Sequence, residues 1–589
     1  MATNESIIPT PATPDVCTVA ILVDGEEISG EFHVLSVAVM RELNRIPSAT
    51  IQLRDGEASQ STFAASNTDL FIPGKKIEIQ LGYRSQNDSL FKGTIVKHSI
   101  KVRKNGSQLI VECRDEAVKM TCGAKSRYFT DMKDSDVMEE VIGAYSLQPE
   151  VEATGPDLKE LVQYEATDWD FLLCRAEANG QVVMVKDGTV KIAQPATGDE
   201  PVVAVQFGAT LWELDAEIDA RRQSTGIKAI SWNATDQEVI EAEASEPSTM
   251  NNGNLSPADL AAVMDDDAHE LRHGGQLSQP ELQAWADARL LKERLAKIRG
   301  RAKFQGFAGV LPGNVIDVTG IGERFEGKMY VSGVRHTLAN GNWETDVQLG
   351  LSTERFADIY NLRPLPAAGL LPAVSGLQIG VVTALENDPD GEDRIQVRLP
   401  LVSPIVEGIW ARLATLDAGQ ERGTFFRPEI DDEVVVGFLS DDPRHPVVLG
   451  MCHSSAKPAP EPAQDDNHRK GYVSREKLQV IFDDEKKAIF LETPGGNHMT
   501  LSEEDQGIVI EDQHGNKITL DDSGIKIESS KALTLKAATD LKIEGMNVEI
   551  NAQTAFKAAG TASAEVSGAS TTLKGSATTV IQGGVVQIN

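Results

Sequence analysis

The apolar spacing is most regular towards the C-terminus. Two adjacent units, GNHMTLSEEDQGIVIE from Gly496 and GNKITLDDSGIKIE from Gly515, repeat one pattern. After them the apolar pairs Ile525/Ile527, Leu533/Leu535, Leu541/Ile543 and Val548/Ile550 recur every seven or eight residues. The members of each pair stand two apart, so both point to one face of a strand. Such short strand-and-turn units enclose no core in one chain, whereas several chains wound together each supply a wall. No proline follows Pro494, and residues 551–589 carry only Lys557, Glu565 and Lys574 as charges. A lone, open-edged segment of this kind would aggregate. The pattern therefore predicts an intertwined β-helix or β-prism over residues 471–589.

Two further patterns lie upstream. In the block Gly376 to His453, the runs IQVRLP, WARL, EVVVGFL and PVVLG are separated by turn signals such as Pro389-Asp390-Gly391. They predict a small barrel of five or six strands. Nearer the N-terminus, PGKKIEIQLGYRSQNDSLFKGTIVKHS from Pro73 resembles PGNVIDVTGIGERFEGKMYVSGVRH from Pro312. Aligned, Pro73-Gly74 meets Pro312-Gly313, Ile77 and Ile79 meet Ile316 and Val318, and Phe91-Lys92-Gly93 meets Phe325-Glu326-Gly327. Each copy alternates, turns and alternates again, as a half-buried hairpin does. An internal duplication, hence two similar β-barrel units, is expected. Between the copies, Ser278-Gln-Pro-Glu281 has the form of a capping box. It opens a helical stripe of Leu282, Trp285, Leu291, Leu295 and Ile298 that should end at Gly300.

Proline-rich stretches at Asn361–Pro372 and Ser455–Asp466 punctuate these patterns. The organisation expected is a hub over 1–365, a barrel domain over 372–456, a linker over 457–470 and the repeat region over 471–589. The fold class is mainly β with some α.

Composition adds exclusions. The 589 residues carry 56 Lys+Arg against 89 Asp+Glu, a net charge of -33. Such acidity lacks the basic stripe of a nucleic-acid groove and the polybasic patch of an anionic-lipid binder. The five cysteines Cys17, Cys113, Cys122, Cys174 and Cys452 include no CxxC pair, so neither a disulfide framework nor a zinc knuckle is indicated. The start MATNESIIPTPATPDVC has no basic-then-apolar leader, and no apolar run is long enough to span a bilayer. Synthesis in a cytosol without a signal peptide is expected.

Candidate chemistry is sparse. His269-Glu-Leu-Arg-His273 matches HExxH, in which two His on one helix face hold zinc and the Glu activates water. Gly274-Gly275 follows at once and Asp265-Asp-Asp267 precedes it, so an exposed loop is the competing reading. His445, Cys452 and His453 cluster without structural-zinc spacing. Glu386 to Gly391 imitates the start of a calcium loop, but Pro389 interrupts it and Val397 stands where the last ligand belongs. The expectation is no catalytic residue, no metal and no cofactor.

A family resemblance rests on the middle block. It carries Asp393-Arg-Ile-Gln-Val-Arg-Leu-Pro400, Trp410-Ala-Arg412, Phe426-Arg-Pro-Glu-Ile-Asp-Asp-Glu-Val-Val-Val-Gly-Phe438 and Asp442-Pro-Arg-His-Pro-Val-Val-Leu-Gly450. These runs resemble the OB-fold module of VgrG proteins, the spikes of type VI secretion and related contractile injection systems. Asp168-Trp-Asp-Phe-Leu-Leu-Cys-Arg-Ala-Glu-Ala-Asn-Gly180 is similar to a signature of that family's hub. The resemblance implies a homotrimer whose hub caps a six-fold inner tube ring within a baseplate. It implies a needle sharpened by a PAAR-type tip protein, for which Val585, Val586, Gln587, Ile588 and Asn589 are the candidate platform. It also implies that effector cargo is a separate polypeptide, that the target membrane is met only on injection, and that the particle works outside the producing cell. With nothing after Asn589, no fused enzyme domain is expected. The rival readings are a zinc protease at His269–His273 within a spike, and a β-helical tail fibre or adhesin.

Overall fold

The computed structural model describes residues 16–104, 106–250, 252–264 and 268–588. The chain divides into two compact units. One is Met1–Gln378 with Glu386–Ala414 and Val436–Val448; the other is Ile379–Leu385, Thr415–Val435 and Leu449–Asn589.

Among the described residues, the main sheet of the first unit has thirteen strands. Those used below are β1 (Cys17–Val23), β2 (Val34–Glu42), β3 (Ser48–Arg54), β4 (Lys76–Tyr83), β5 (Gln86–Arg103), β6 (Gly106–Arg114), β7 (Val203–Gln206), β8 (Leu211–Ile218), β9 (Ile298–Gln305), β10 (Val315–Thr319), β11 (Gly327–Ala339) and β12 (Asn342–Leu349). The order across the sheet is β8-β9-β12-β11-β2-β3-β6-β5-β4-β1, with β10 on β11 and β7 on β10. Period-2 alternation sets which side faces the core: in β3, Ala49, Ile51 and Leu53 are buried while Ser48, Thr50 and Gln52 are only half-buried.

The duplication read from the sequence is visible atom by atom. The Gly74 N–H donates to Ile95 O and the Gly313 N–H to Val331 O, both at 2.8 Å. The Ile95 N–H donates to Lys75 O and the Val331 N–H to Asn314 O, both at 2.9 Å. Gly74 and Gly313 hold φ of +104° and +91°, which a side chain would strain. The first half of the alignment is therefore correct, but the Phe-x-Gly motif is not. Ile79 faces Phe91 in one copy and Val318 faces Gly327 in the other, so Gly327 stands where Phe91 does. Phe325 lies in the turn, two places out of register. A two-residue slip keeps every side chain on its face, so alternation alone does not reveal it.

Each copy has its own core. One gathers Ile51, Leu53, Ile77, Ile79, Phe91 and Val111; the other gathers Phe304, Ile316, Val318, Val331 and Val347. The copies are not separate bodies: β11 of the second pairs antiparallel with β2 of the first, from Gly333↔Glu42 to Ala339↔Ser36. They differ in one strand, since β1 joins β4 antiparallel while β7 joins β10 parallel.

At the junction His336 is buried, 3.1 Å from the Thr345 hydroxyl. Burial, aided by the Arg41 charge, pushes its imidazole down to about 3. The native state keeps it neutral while the unfolded chain takes up a proton near the ordinary value of about 6.5. Its contribution to stability is complete above pH 6.5 and is lost as the pH falls from there towards 3. By pH 5 the hub should lose about 2 kcal/mol on this account. His336→Gln should flatten the pH 6.5–5 segment of a hub unfolding curve, and an unchanged slope would refute the assignment.

Helix α1 (Asp134–Gly143) and helix α2 (Asp168–Ala178) pack with Val183, Val185, Val190 and Ile192 into a third core. Helix α3 (Gln279–Leu295) starts with the predicted capping box: the Ser278 side chain accepts from the Glu281 N–H and Glu281 accepts from the Ser278 N–H. It ends earlier than expected. Ile298 and Gly300 belong to β9, where Gly300 pairs with Ala216, and the buried stripe is Leu282, Ala286 and Leu290.

In the middle block, β13 (Gln378–Ala384), β14 (Ile395–Arg398), β15 (Ile409–Leu413), β16 (Glu433–Phe438) and β17 (Pro446–Met451) close into a five-stranded barrel in the order β13-β14-β15-β17-β16. The suspected calcium loop is a turn. One Asp388 carboxylate accepts from the N–H groups of Asp390, Glu392 and Arg394 and from the Arg394 guanidinium. Beyond it lie β18 (Arg469–Val473), β19 (Gln479–Asp483), β20 (Ala488–Glu492), β21 (His498–Ser502), β22 (Gly507–Glu511), β23 (Lys517–Asp521) and β24 (Gly524–Glu528), a meander paired in chain order.

Candidate functional site

The meander carries two apolar rows across its strands. Val480 pairs with Leu491, Leu491 with Met499, Met499 with Ile510, Ile510 with Ile518 and Ile518 with Ile527. Two residues along each strand, Phe482, Ile489, Leu501, Ile508, Leu520 and Ile525 form the second row. Residues two apart share a face, so all twelve side chains lie on one side of the sheet. Phe482, Leu491, Ile510, Ile525 and Ile527 are exposed in the single chain. An uncovered apolar face running the length of a sheet marks an association surface.

Past Glu528 the same logic is sharper. No strand is assigned among residues 529–588, yet bends recur at 530–531, 538–539, 546–547, 553–554, 561–562, 569–570, 576–577 and 584–585, every seven or eight residues. Leu533, Leu535, Leu541, Ile543, Val548 and Ile550 are all exposed. The chain is thus laid out as extended segments joined by regular bends, without the neighbours that would pair its backbone. Once its apolar side chains are buried, extended backbone needs partners in place of water, and other chains are the available ones.

Of the proposed tip residues, Val585, Val586 and Ile588 are exposed beside Gln587, and Asn589 lies outside the described residues. The rows through Val480, Phe482, Ile489 and Leu491 extend the surface upstream of the two repeat units noted in the sequence. The same i, i+2 apolar spacing marks them.

The HELRH segment is not a helix and not a loop. It forms the strand His269–His273, parallel to Ile227–Asn233, with only Leu271 buried. Residues four apart on a strand are about 13 Å apart, whereas a zinc ion holds both imidazoles at about 2 Å. Glu270 is paired with Arg272. Asp265–Asp267 fall outside the described residues. Purified protein should hold no stoichiometric zinc through these histidines, and His269→Ala should leave stability within about 0.5 kcal/mol. Zinc lost on that substitution would contradict the strand reading. His445 turns back to Asp442 at the barrel rim, and Cys452 and His453 are exposed. Among the described residues no three His, Cys, Asp or Glu side chains are grouped to hold a metal.

The Asp168–Gly180 signature is structural. Asp168, 0% exposed at the start of α2, accepts from Lys125 Nζ (2.7 Å), Arg127 Nη2 (2.6 Å), Tyr145 Oη (2.7 Å) and Gln163 Nε2 (2.9 Å). Burial alone would raise its carboxyl, but these donors outweigh it and hold the group below its ordinary value. About two and three turns of helix further on, Arg175 and Asn179 both grip Asp134 on α1.

Comparison with known proteins follows these divisions. The profile described as the Alg8 N-terminal domain matches residues 13–340, more than half of the 589-residue chain. The chain belongs to this family. The type VI secretion system/phage-baseplate injector OB domain matches residues 378–453, and the phage baseplate V C-terminal trimerisation domain matches residues 488–589. The VgrG-like likeness seen in the sequence is thereby borne out, with the barrel an OB domain and the apolar rows, from Ile489 onwards, in the trimerisation segment. The type VI secretion spike protein VgrG1b of Pseudomonas aeruginosa is 27% identical over 196 residues, 30% of this chain and 25% of that protein. The matched stretch therefore spans about a quarter of that relative. Among solved structures, a tail protein of Neisseria meningitidis is 16% identical, covering 59% of this chain and 99% of its own, at a TM-score of 0.43. An Escherichia coli component of the type VI secretion system is 14% identical, covering 73% and 99%, at 0.36.

Proposed function

We propose that this chain is the trimeric hub and spike of a contractile injection system. The observation that carries the reading is the apolar face continued by regularly bent, unpartnered chain: a surface that only companion copies of the same repeat can cover throughout. The hub, with two similar β units per chain, supplies six near-equivalent units per trimer, which suits a hexameric inner tube ring. The barrel and the wound C-terminal segment then form a stiff needle within the baseplate.

In this reading the work is mechanical and the chain is not an enzyme. The distribution of chemistry supports that: the signature residues Asp168, Arg175 and Asn179 are spent on holding helices, and His269 and His273 are too far apart to share a metal. A PAAR-type tip protein seats on Val585, Val586, Gln587, Ile588 and Asn589, a stretch with no charged side chain after Lys574. Effector cargo is a separate polypeptide. The chain is made in the cytoplasm and acts in a particle released outside the cell, touching a target membrane only on injection.

Quantitative mass spectrometry of purified particles tests the reading through stoichiometry. Three copies per particle are expected, half the number of tube subunits in one ring; six or more would favour a fibre. Deleting 585–589 should abolish co-purification of the tip protein while leaving the trimer intact, and unchanged co-purification would refute the platform.

A further inference from the structure

The internal duplication shows how one hub copy is joined to the next, and it leaves both ends of that joint open on each chain. Within the chain, the joint is β11 of the second copy lying along β2 of the first. Its hairpin tip reaches over the neighbouring core, where Leu338 and Trp343 are 7% and 4% exposed.

The register of the two copies identifies the counterparts. Ile95 pairs with Cys113 as Val331 pairs with Leu349, and in both hairpins a bulge follows at once. Lys97 to Arg103 of β5 therefore correspond to Gly333 to Ala339 of β11. By the same tracing, Ala49↔Cys113 corresponds to Gly300↔Leu349, and Val39↔Ala49 to Ala216↔Gly300. Ser36 to Met40 of β2 thus correspond to Glu213 to Glu217 of β8.

Both counterparts lack the partner that their equivalents have. Beyond Thr94, among the described residues, β5 is paired only by β6. β8 is the terminal strand of the sheet; Leu211 also bridges to Phe207, but from Glu213 to Ile218 it is paired, among the described residues, only by β9. Ile100 and Val102, the counterparts of His336 and Leu338, are 46% and 59% exposed.

We infer that β5 of one copy lies antiparallel along β8 of a second copy of this chain, in the register that β11 and β2 use internally. This rests on the trimeric reading above and names the contact that closes the hub ring. Carrying the register over sets Ile100 opposite Ala216, Lys101 opposite Asp215, Val102 opposite Leu214 and Arg103 opposite Glu213, with Lys97 opposite Asp219 at the strand's end. Apolar residues meet on one face, where Leu214, Ala216 and Ile218 already pack against the second core. On the other face three cations meet three carboxylates. Acidic residues on an edge strand ordinarily repel further pairing; here the strand carrying the opposite charge has the matching spacing. Opposite charges across a strand pair favour this register and like charges would oppose it. The contact is head-to-tail, and three copies close it into a ring that alternates first and second hub units.

Cysteine cross-linking in the full-length protein tests the register, with the exposed Cys122 and Cys452 replaced by Ser in every variant. The pairs Lys101→Cys/Asp215→Cys and Ile100→Cys/Ala216→Cys represent both kinds of antiparallel pair, so at least one has disulfide geometry. Oxidation should give covalent dimers and trimers on a non-reducing gel. The off-register pair Lys101→Cys/Ala216→Cys, whose side chains point to opposite faces, should give about tenfold less. Light scattering on the same samples separates the two claims. A trimeric mass without covalent product from either matched pair overturns this contact and leaves the trimer standing. A monomeric mass overturns both. Equal cross-linking by the off-register pair also overturns it.

Discussion

Ile510→Asp should convert the full-length trimer to single chains. Ile510 lies mid-row, paired to Met499 on one side and Ile518 on the other. Burying an Ile is worth about 1.5–3 kcal/mol. Its replacement also places a carboxylate in a dry interface at a cost of several kcal/mol per ion. A three-fold needle brings the three substituted positions to the same level of one narrow core, so both costs recur threefold among like charges. Light scattering should report one 63.6-kDa chain rather than three. The control is Lys526→Asp, a change of charge twice as large. Lys526 belongs to the opposite side of the sheet, in the row Ile481, Phe490, Thr500, Val509, Thr519. It should remain trimeric. A trimeric Ile510→Asp protein would show that this face is not the trimer core.

Asp168→Ala should loosen the hub around α2. Four donors converge on a carboxylate with no access to water, and its removal strands the Lys125 and Arg127 charges beside a hydrophobic core. Breaking a buried pair from one side costs about 3–5 kcal/mol. The lower end applies, because Lys125 and Arg127 keep 41% and 27% of their side-chain exposure. Hydrogen exchange is the suitable measurement, since a multi-domain trimer does not unfold in one step. Amides of Asp168–Ala178 should exchange at least about a hundredfold faster than in the parent, following the free-energy loss. Asp168→Asn, which retains an acceptor but not the charge, should fall between. Unchanged exchange would mean that the cluster is ornamental.

What the sequence disclosed was decided by side-chain periodicity. The tail was legible because its apolar pairs sit two apart and recur at a fixed spacing, and that spacing returns as the bends from 530 to 585. The barrel was legible because its strands are short and separated by turn residues. The duplication was legible at Pro73-Gly74 and Pro312-Gly313, where backbone geometry constrains the residue type, and misread at Phe-x-Gly, where only alternation guided the match. Ile298 reads as helical, with Gly300 as the stop, because a stripe spaced mostly by three and four runs into β9 without a visible break. HELRH was ambiguous because its apolar centre and polar flanks suit a strand edge as well as a loop, and only its pairing to Ile227–Asn233 decides. The open edges of β5 and β8 could not be read at all. Which strand lies beside which depends on contacts hundreds of residues apart, and the complementary charges mean nothing until those edges are known.

The central claim is that three copies of this chain form an axial spike. A low-resolution electron-microscopy image of native particles, with the chain marked by a bound antibody fragment, tests it most directly. The account predicts label on the particle axis where the inner tube meets the baseplate, with three-fold symmetry. Label at the periphery, or on fibres radiating from the particle, would contradict it.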